Sequence, residues 1–160
     1  MKIWIDADGC PKAVKEIVFR ASERLGLPVC VVANAEIPVP SSPLVTRVLV
    51  PHGFNVADSH IAEEVTAEDI VVTADVPLAD KVVRKGAVAV DPRGGLYTED
   101  SIGRQLASRN LLHDLRSREV VRGGGPGAFS PADKQRFASA LDRELAKRLK
   151  TRQTPGNAGE

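Results

Sequence analysis

Five short aliphatic runs, separated by stretches with helical spacing, constrain this chain more than any other feature. The runs are Lys2 to Asp6, Pro28 to Asn34, Val45 to Val50, Asp69 to Ala74 and Gly86 to Val90. Apart from Thr46 and Arg47 in the third, the runs are largely apolar at their centres rather than alternating, which points to strands buried on both faces. Their alternation with helices, in units of about 25 residues, predicts a mostly parallel α/β sheet of about five strands in a doubly wound, three-layer arrangement.

The intervening segments carry helix signals. Pro11 opens a first helix, Val14, Ile17, Val18, Ala21 and Leu25 follow at helical spacing, and Gly26 ends the run. A second helix begins at Asn55 or Asp58 and reaches about Val65, with Ile61, Ala62 and Val65 inward; a third spans Pro77 to Lys85. Beyond the sheet, Thr98 caps a helix from Glu99 to about Arg118, and a glycine-rich connector, Gly123 to Gly127, leads to Ser130-Pro131-Ala132-Asp133. The helix opened there aligns Phe137, Leu141, Leu145 and Leu149 on one stripe, which predicts packing on the core. Residues 1–150 read as one domain and 151–160 as a disordered tail.

In open parallel sheets, ligands bind beyond the carboxyl ends of the strands, where strand order reverses. The first strand delivers Asp6 and, just after it, Asp8; the fourth delivers Asp75 at the same relative place. If strands one and four are neighbours, these carboxylates meet at the switch point. Asp58, from the helix leading into strand four, completes the set, and Asp80, one turn into the next helix, is a more remote candidate. Carboxylates brought together repel one another and need compensation. A hard divalent cation, Mg²⁺ or Mn²⁺, supplies it, polarises a phosphoryl oxygen and activates water. The competing reading is structural: Asp at strand ends forms turns and caps helices, and Asp8 before Gly9 and Pro11 suits a cap of the first helix.

Charge is unevenly placed. Residues 1–100 carry 10 Lys and Arg against 15 Asp and Glu, while residues 116–152 carry 10 against 4. An acidic site beside a basic surface suits a phosphate-bearing ligand, although a basic helix face is by default simply solvated. The connector Gly123–Gly127 with Arg116, Arg118 and Arg122, followed by the helix N-terminus at Ser130, forms a candidate phosphate cradle in which Arg116, Arg122, Gly124, Gly125 and Ser130 would contact substrate. Its default reading is a hinge. Asn34, at the end of strand two, is placed to reach the mouth of the site. Aromatics are only 4% of the chain, so nucleic acid would be held by its backbone rather than by base stacking.

Two cysteines without CxxC spacing argue against a disulfide framework or a structural zinc. Cys10 stands at a helix start, where a thiolate is favoured, yet no histidine partners it in sequence; a quiet turn residue is the simpler reading. Cys30 reads as core. No signal-peptide pattern and no long apolar run is present, so the expected location is the cytoplasm, without membrane contact.

Four segments carry a family resemblance: Ile3-Trp4-Ile5-Asp6-Ala7-Asp8-Gly9-Cys10-Pro11, Val56-Ala57-Asp58-Ser59-His60-Ile61-Ala62, Val72-Thr73-Ala74-Asp75-Val76-Pro77-Leu78-Ala79 and Gly124-Gly125-Pro126-Gly127-Ala128-Phe129-Ser130. With them the chain resembles the bacterial YaiI/YqxD family, whose domain is grouped with PIN-like nucleases. The wider resemblance implies a PIN-like fold and a metal-dependent nuclease. It places Asp6 after strand one, Asp58 opening a D-x-x-I helix, and Asp75 in a T-x-D turn with Thr73 as the turn threonine, which is also expected to contact substrate. A PIN domain has a further acid on an earlier helix; none matches here, and Asp8 is the substitute.

The reading is thus a metal-dependent nuclease acting on RNA in preference to DNA, with Asp6, Asp8, Asp58 and Asp75 holding the ion. Two alternatives stand beside it. A haloacid-dehalogenase-like phosphatase would use Asp6-x-Asp8 as nucleophile and acid, but Cys10 stands where that pattern has Thr or Val. A non-catalytic nucleic-acid-binding module would retain a degenerate site.

Overall fold

The computed structural model describes residues 1–51, 56–105, 107 and 128–153, with the side chains of Asp58 and of residues 151–153 outside that description. Six strands form one sheet: β1 (Ile3–Asp6), β2 (Val29–Ala33), β3 (Val45–Leu49), β4 (Ile70–Val72), β5 (Val88–Val90) and β6 (Leu96–Tyr97). Their order is β3-β2-β1-β4-β5-β6; the first five are parallel and β6 is antiparallel to β5. The chain winds outward to β3, returns to the middle and winds out the other way, so the reversal lies between β1 and β4. The neighbour relation on which the sequence argument depended therefore holds. The sixth strand was not expected: two residues are too few to leave a pattern.

The helices are α1 (Lys12–Leu25), α2 (Val56–Glu64), α3 (Val76–Arg84), α4 (helical over 99–105) and α5 (Pro131–Gln153). Successive side chains of a strand point to opposite faces. Ile3 and Ile5 accordingly join Val14, Val18, Phe137, Leu141 and Leu145 in the core under α1 and α5. Trp4 faces the other way and joins Ile61, Val65, Leu78 and Val82 under α2 and α3. The α5 stripe is buried as the spacing predicted, with Leu149 only partly covered. Leu25, expected on the inner stripe of α1, is exposed at the helix end. Gly26 follows it at φ 67°, the left-handed geometry that ends a helix without a Cβ penalty. Residues 108–127, which hold the remainder of the helix expected to reach about Arg118 and the connector Gly123–Gly127, lie outside the described residues, as do 154–160; α5 remains helical to Gln153.

Two polar ties lock the layers. At the amino edge, Asp69 is buried and accepts from the Lys2 N–H (2.9 Å), the Trp4 indole N–H (3.0 Å) and the Thr66 N–H (2.9 Å). At the carboxyl edge, Ser130 and Asp133 cap α5 reciprocally: the Asp133 N–H donates to Ser130 Oγ, and Asp133 Oδ2 accepts from the Ser130 N–H. Asp133 also binds Arg93 of the β5–β6 turn (3.0 Å) and Arg136. The Ser130 N–H, the two arginines and the partial positive charge of the helix start hold the Asp133 carboxyl below its usual range.

The turn meets α5 closely at Gly94. Its φ is +95°, and a Cβ there would lie 2.6 Å from the Arg136 carbonyl carbon. Gly94→Ala combines backbone strain with a backbone clash and should cost about 2–4 kcal/mol. A urea midpoint equal to wild type would contradict this close seat.

Candidate functional site

The carboxyl edge of the sheet gathers the acids named from the sequence. Asp6 is the last residue of β1, and its register with Val32 on one side continues the Ile5–Val72 pairing on the other. Thr73 and Asp75 follow β4. By strand alternation Asp6 and Thr73 share the face of Trp4 and Val71, toward α2 and α3. The Thr73 hydroxyl donates to Asp6 Oδ2 (2.8 Å) and accepts from the Asp75 N–H (3.0 Å). It is a strut between the two acids, its O–H given to one and its oxygen accepting from the backbone of the other.

Asp6 is 6% exposed. Burial pushes its carboxyl up to about 6; the Thr73 hydroxyl opposes the shift, while the charges of Asp8 and Asp75 add to it. Among the described residues, none of the groups acting on it is a lysine or arginine. Asp8 is exposed, and its carboxylate accepts a long contact from the Asn34 N–H (3.5 Å). The α1 N-terminus receives no side-chain cap, so Asp8 is not its capping residue. Asp75, in contrast, does cap a helix: Oδ1 accepts from the Leu78 N–H (3.0 Å) at the start of α3. One oxygen serves the fold, and the charge still faces Asp6.

Asp58 falls in the first turn of α2, and the position of its side chain is outside the described residues. Asp80 is not part of the cluster. It pairs with Arg84 (3.1 Å) and lines a cavity of about 350 Å³ between α3 and α4, with Val83, Glu99, Ile102 and Gly103. Asn34 is half-buried beside Asp8. Of the proposed cradle, Arg116, Arg122, Gly124 and Gly125 lie outside the described residues, and Ser130 is committed to the α5 cap.

Cys10 is buried, and burial drives its thiol up to about 12 despite Lys15, so desolvation outweighs the helix start. Cys30 is core, as read. The His60 ring lies edge-on to Trp4 at 6.2 Å. Sequence reasoning missed Asp91 and Tyr97. Asp91 follows β5 as Asp75 follows β4, and the Thr73 N–H bonds the Val90 carbonyl beside it (3.1 Å). The Tyr97 hydroxyl donates to Asp91 Oδ2 (3.1 Å); burial and the charges of Asp91 and Asp75 raise its pKa. The signal was available, since Asp91 ends an apolar run as Asp6 does.

The donor set is hard oxygen. Among the described residues, no three His, Cys, Asp or Glu side chains are gathered into a ready-made cage. Mg²⁺ does not require one: it keeps several waters and takes one or two carboxylates together with substrate phosphate. Asp6, with the charges of Asp8 and Asp75 acting on it and no lysine or arginine offsetting them among the described residues, fits that mode.

These features define a doubly wound α/β protein with Asp6, Asp8 and Asp75 at the carboxyl edge of its switch point. The chain belongs to the YaiI/YqxD family: the family model described as "Uncharacterized BCR, YaiI/YqxD family" matches residues 4–147. It is 58% identical over 150 residues to UPF0178 protein GSU0171 of Geobacter sulfurreducens, covering 94% of this chain and 99% of that one. A UPF0178 protein of Trichlorobacter lovleyi is 54% identical over 94% of this chain and 97% of its own length. UPF0178 protein Shewmr4_1560 of a Shewanella species is 52% identical over 91% and 97%. No solved structure matches. Among the described residues, no helix is long and apolar enough to cross a membrane.

Proposed function

We propose that this chain is a divalent-cation-dependent nuclease of the PIN-like kind, acting on RNA in preference to DNA. The observation that carries the reading is Asp6: a buried carboxyl at the strand-order reversal, braced by Thr73, with the charges of two further acids acting on it and, among the described residues, no basic group acting beside them. Asp6, Asp8 and Asp75 would hold Mg²⁺ or Mn²⁺, with Asp58 as a fourth acid from α2. Once bound, the ion supplies charge to a phosphoryl oxygen and acidifies water for attack.

The protein's own part is positioning. The Thr73 hydroxyl fixes the Asp6 carboxylate through Oδ2, and the α3 cap fixes Asp75 through Oδ1. Asn34 borders Asp8 and is placed to touch substrate. Above about pH 6 Asp6 is ionised and able to ligate; below it the proton competes with the metal. Cleavage should therefore rise with pH through about 6.

The test is cleavage of end-labelled single-stranded RNA and DNA of matched sequence in Mn²⁺, Mg²⁺ or EDTA. Ion-dependent cutting, stronger on RNA and lost in Asp75→Asn, is expected. Salt-sensitive RNA binding that survives EDTA and Asp6→Asn, with no cutting, would replace the enzyme by a non-catalytic binding module.

A further inference from the structure

The sheet ends on one side in β3, and the described residues leave the outer edge of that strand open. The Val29 N–H donates to the Leu44 carbonyl, and the Val50 N–H to the Ala33 carbonyl. With Val29 in register with Val45, the even-numbered residues from 44 to 50 therefore turn their backbone groups toward β2. Val45, Arg47 and Leu49 turn theirs outward. The Val45 N–H is already given to the Ser42 carbonyl (3.2 Å), and Pro51, next in the outward series, has no N–H. Two donors remain, the Arg47 and Leu49 N–H groups, and among the described residues no backbone carbonyl takes them. The Leu49 side chain stands beside them, 60% exposed.

Charged side chains guard many edge strands against association. Here the guard is drawn back: the Arg47 guanidinium binds the Ile37 carbonyl (3.0 Å) and Glu36 (3.6 Å) of its own chain. Arg47 and Glu36 are the only charged residues from 34 to 51, so this stretch carries no net charge. We propose that β3 pairs antiparallel with β3 of a second copy of this chain, Val48 opposite Val48 on a twofold axis, so that the two sheets join edge to edge. The same patch then meets itself, as a twofold contact requires. This register uses every open donor, because Arg47 and Leu49 exchange both backbone bonds with Leu49 and Arg47 of the partner subunit. Where Val45 meets Pro51, neither has an N–H left to give, and the ladder stops without an orphaned donor. A register centred on Arg47 would set two arginines directly opposite each other, which is unfavourable. In the proposed one, Val48 makes a β-branched pair with its copy, and Leu49 covers the aliphatic stem of Arg47 across the junction. Four backbone bonds make a small interface, so a dissociation constant of about 10–100 µM is expected.

Sedimentation equilibrium of the full chain, from about 5 to about 500 µM, brackets that constant. A species of twice the 17.1 kDa chain mass should grow in across the range. Leu49→Pro removes an outward donor and no bond within the protomer, and should weaken dimerisation at least about tenfold. Leu49→Lys sets a second cation beside Arg47 of the partner subunit and should do the same. Leu96→Lys, on the opposite edge strand, should leave the constant unchanged. Cys10 and Cys30 are buried, so an introduced thiol reports on the register. Val48→Cys should cross-link on mild oxidation, because a non-hydrogen-bonded pair brings its Cα atoms within disulfide reach, whereas Leu49→Cys should not. Thermal unfolding of each variant checks that the fold is intact. A monomer at every concentration, association that both Leu49 variants leave intact, an equal loss in Leu96→Lys, or cross-linking through position 49 in place of 48 would overturn the pairing.

Discussion

Asp6→Asn should make the metal-free protein more stable at pH 8 while abolishing ion-dependent cleavage. The folded-state pKa of Asp6 is raised from 3.8 to about 6, chiefly by burial. A raised acid contributes its full stability below the unfolded value, and that contribution is lost as pH rises through the folded one. At about 1.4 kcal/mol per pH unit, wild type carries a penalty of about 2–3 kcal/mol above pH 6. Asparagine has no charge to desolvate, and its carbonyl can still accept from Thr73. Urea melts in EDTA should show the variant ahead at pH 8 and level with wild type near pH 4. Cleavage should fall at least about 100-fold, the scale of losing a group that supports charge in a transition state. A variant less stable than wild type at pH 8 would mean that the carboxylate is compensated by the fold and is not held in readiness for a cation.

Asp69→Ala should be the most damaging single change to the fold. It leaves the buried Trp4 indole N–H and the Thr66 and Lys2 N–H groups without their acceptor. Each buried donor left unpaired costs about 1–3 kcal/mol, so a loss of about 3–5 kcal/mol is expected. Trp4 is the sole tryptophan, so its emission should shift to the red along with the midpoint. Asp69→Asn keeps one acceptor oxygen and should lose roughly half as much. An alanine variant within about 1 kcal/mol of wild type would mean that water replaces the carboxylate there.

What the sequence made legible was local. Asp6 and Asp75 end apolar runs, and that alone placed them at strand ends; the parallel alternation then supplied the switch point. The β6 strand left no pattern in two residues. The Thr73 strut was named as a turn residue and a substrate contact but not as a partner of Asp6, because that bond joins positions 67 apart. Asp69 was hidden for the same reason, its partners Lys2 and Trp4 lying 67 and 65 residues away. Cys10 shows a different limit: its helix-start position favours a thiolate, yet burial decides the outcome, and burial is a property of the packed fold. Asp8 was left between a cap and a ligand until the uncapped start of α1 removed the first role.

The central claim is that the switch-point carboxylates await a divalent cation. It is tested most directly by calorimetric titration of Mn²⁺ and Mg²⁺ at pH 7.5 into wild type and Asp6→Asn/Asp75→Asn, each with and without a non-cleavable oligonucleotide. The account predicts a binding isotherm for wild type, stronger with the oligonucleotide because its phosphate completes the ligand set, and none for the double variant. Identical heats from the two proteins in both conditions would contradict it.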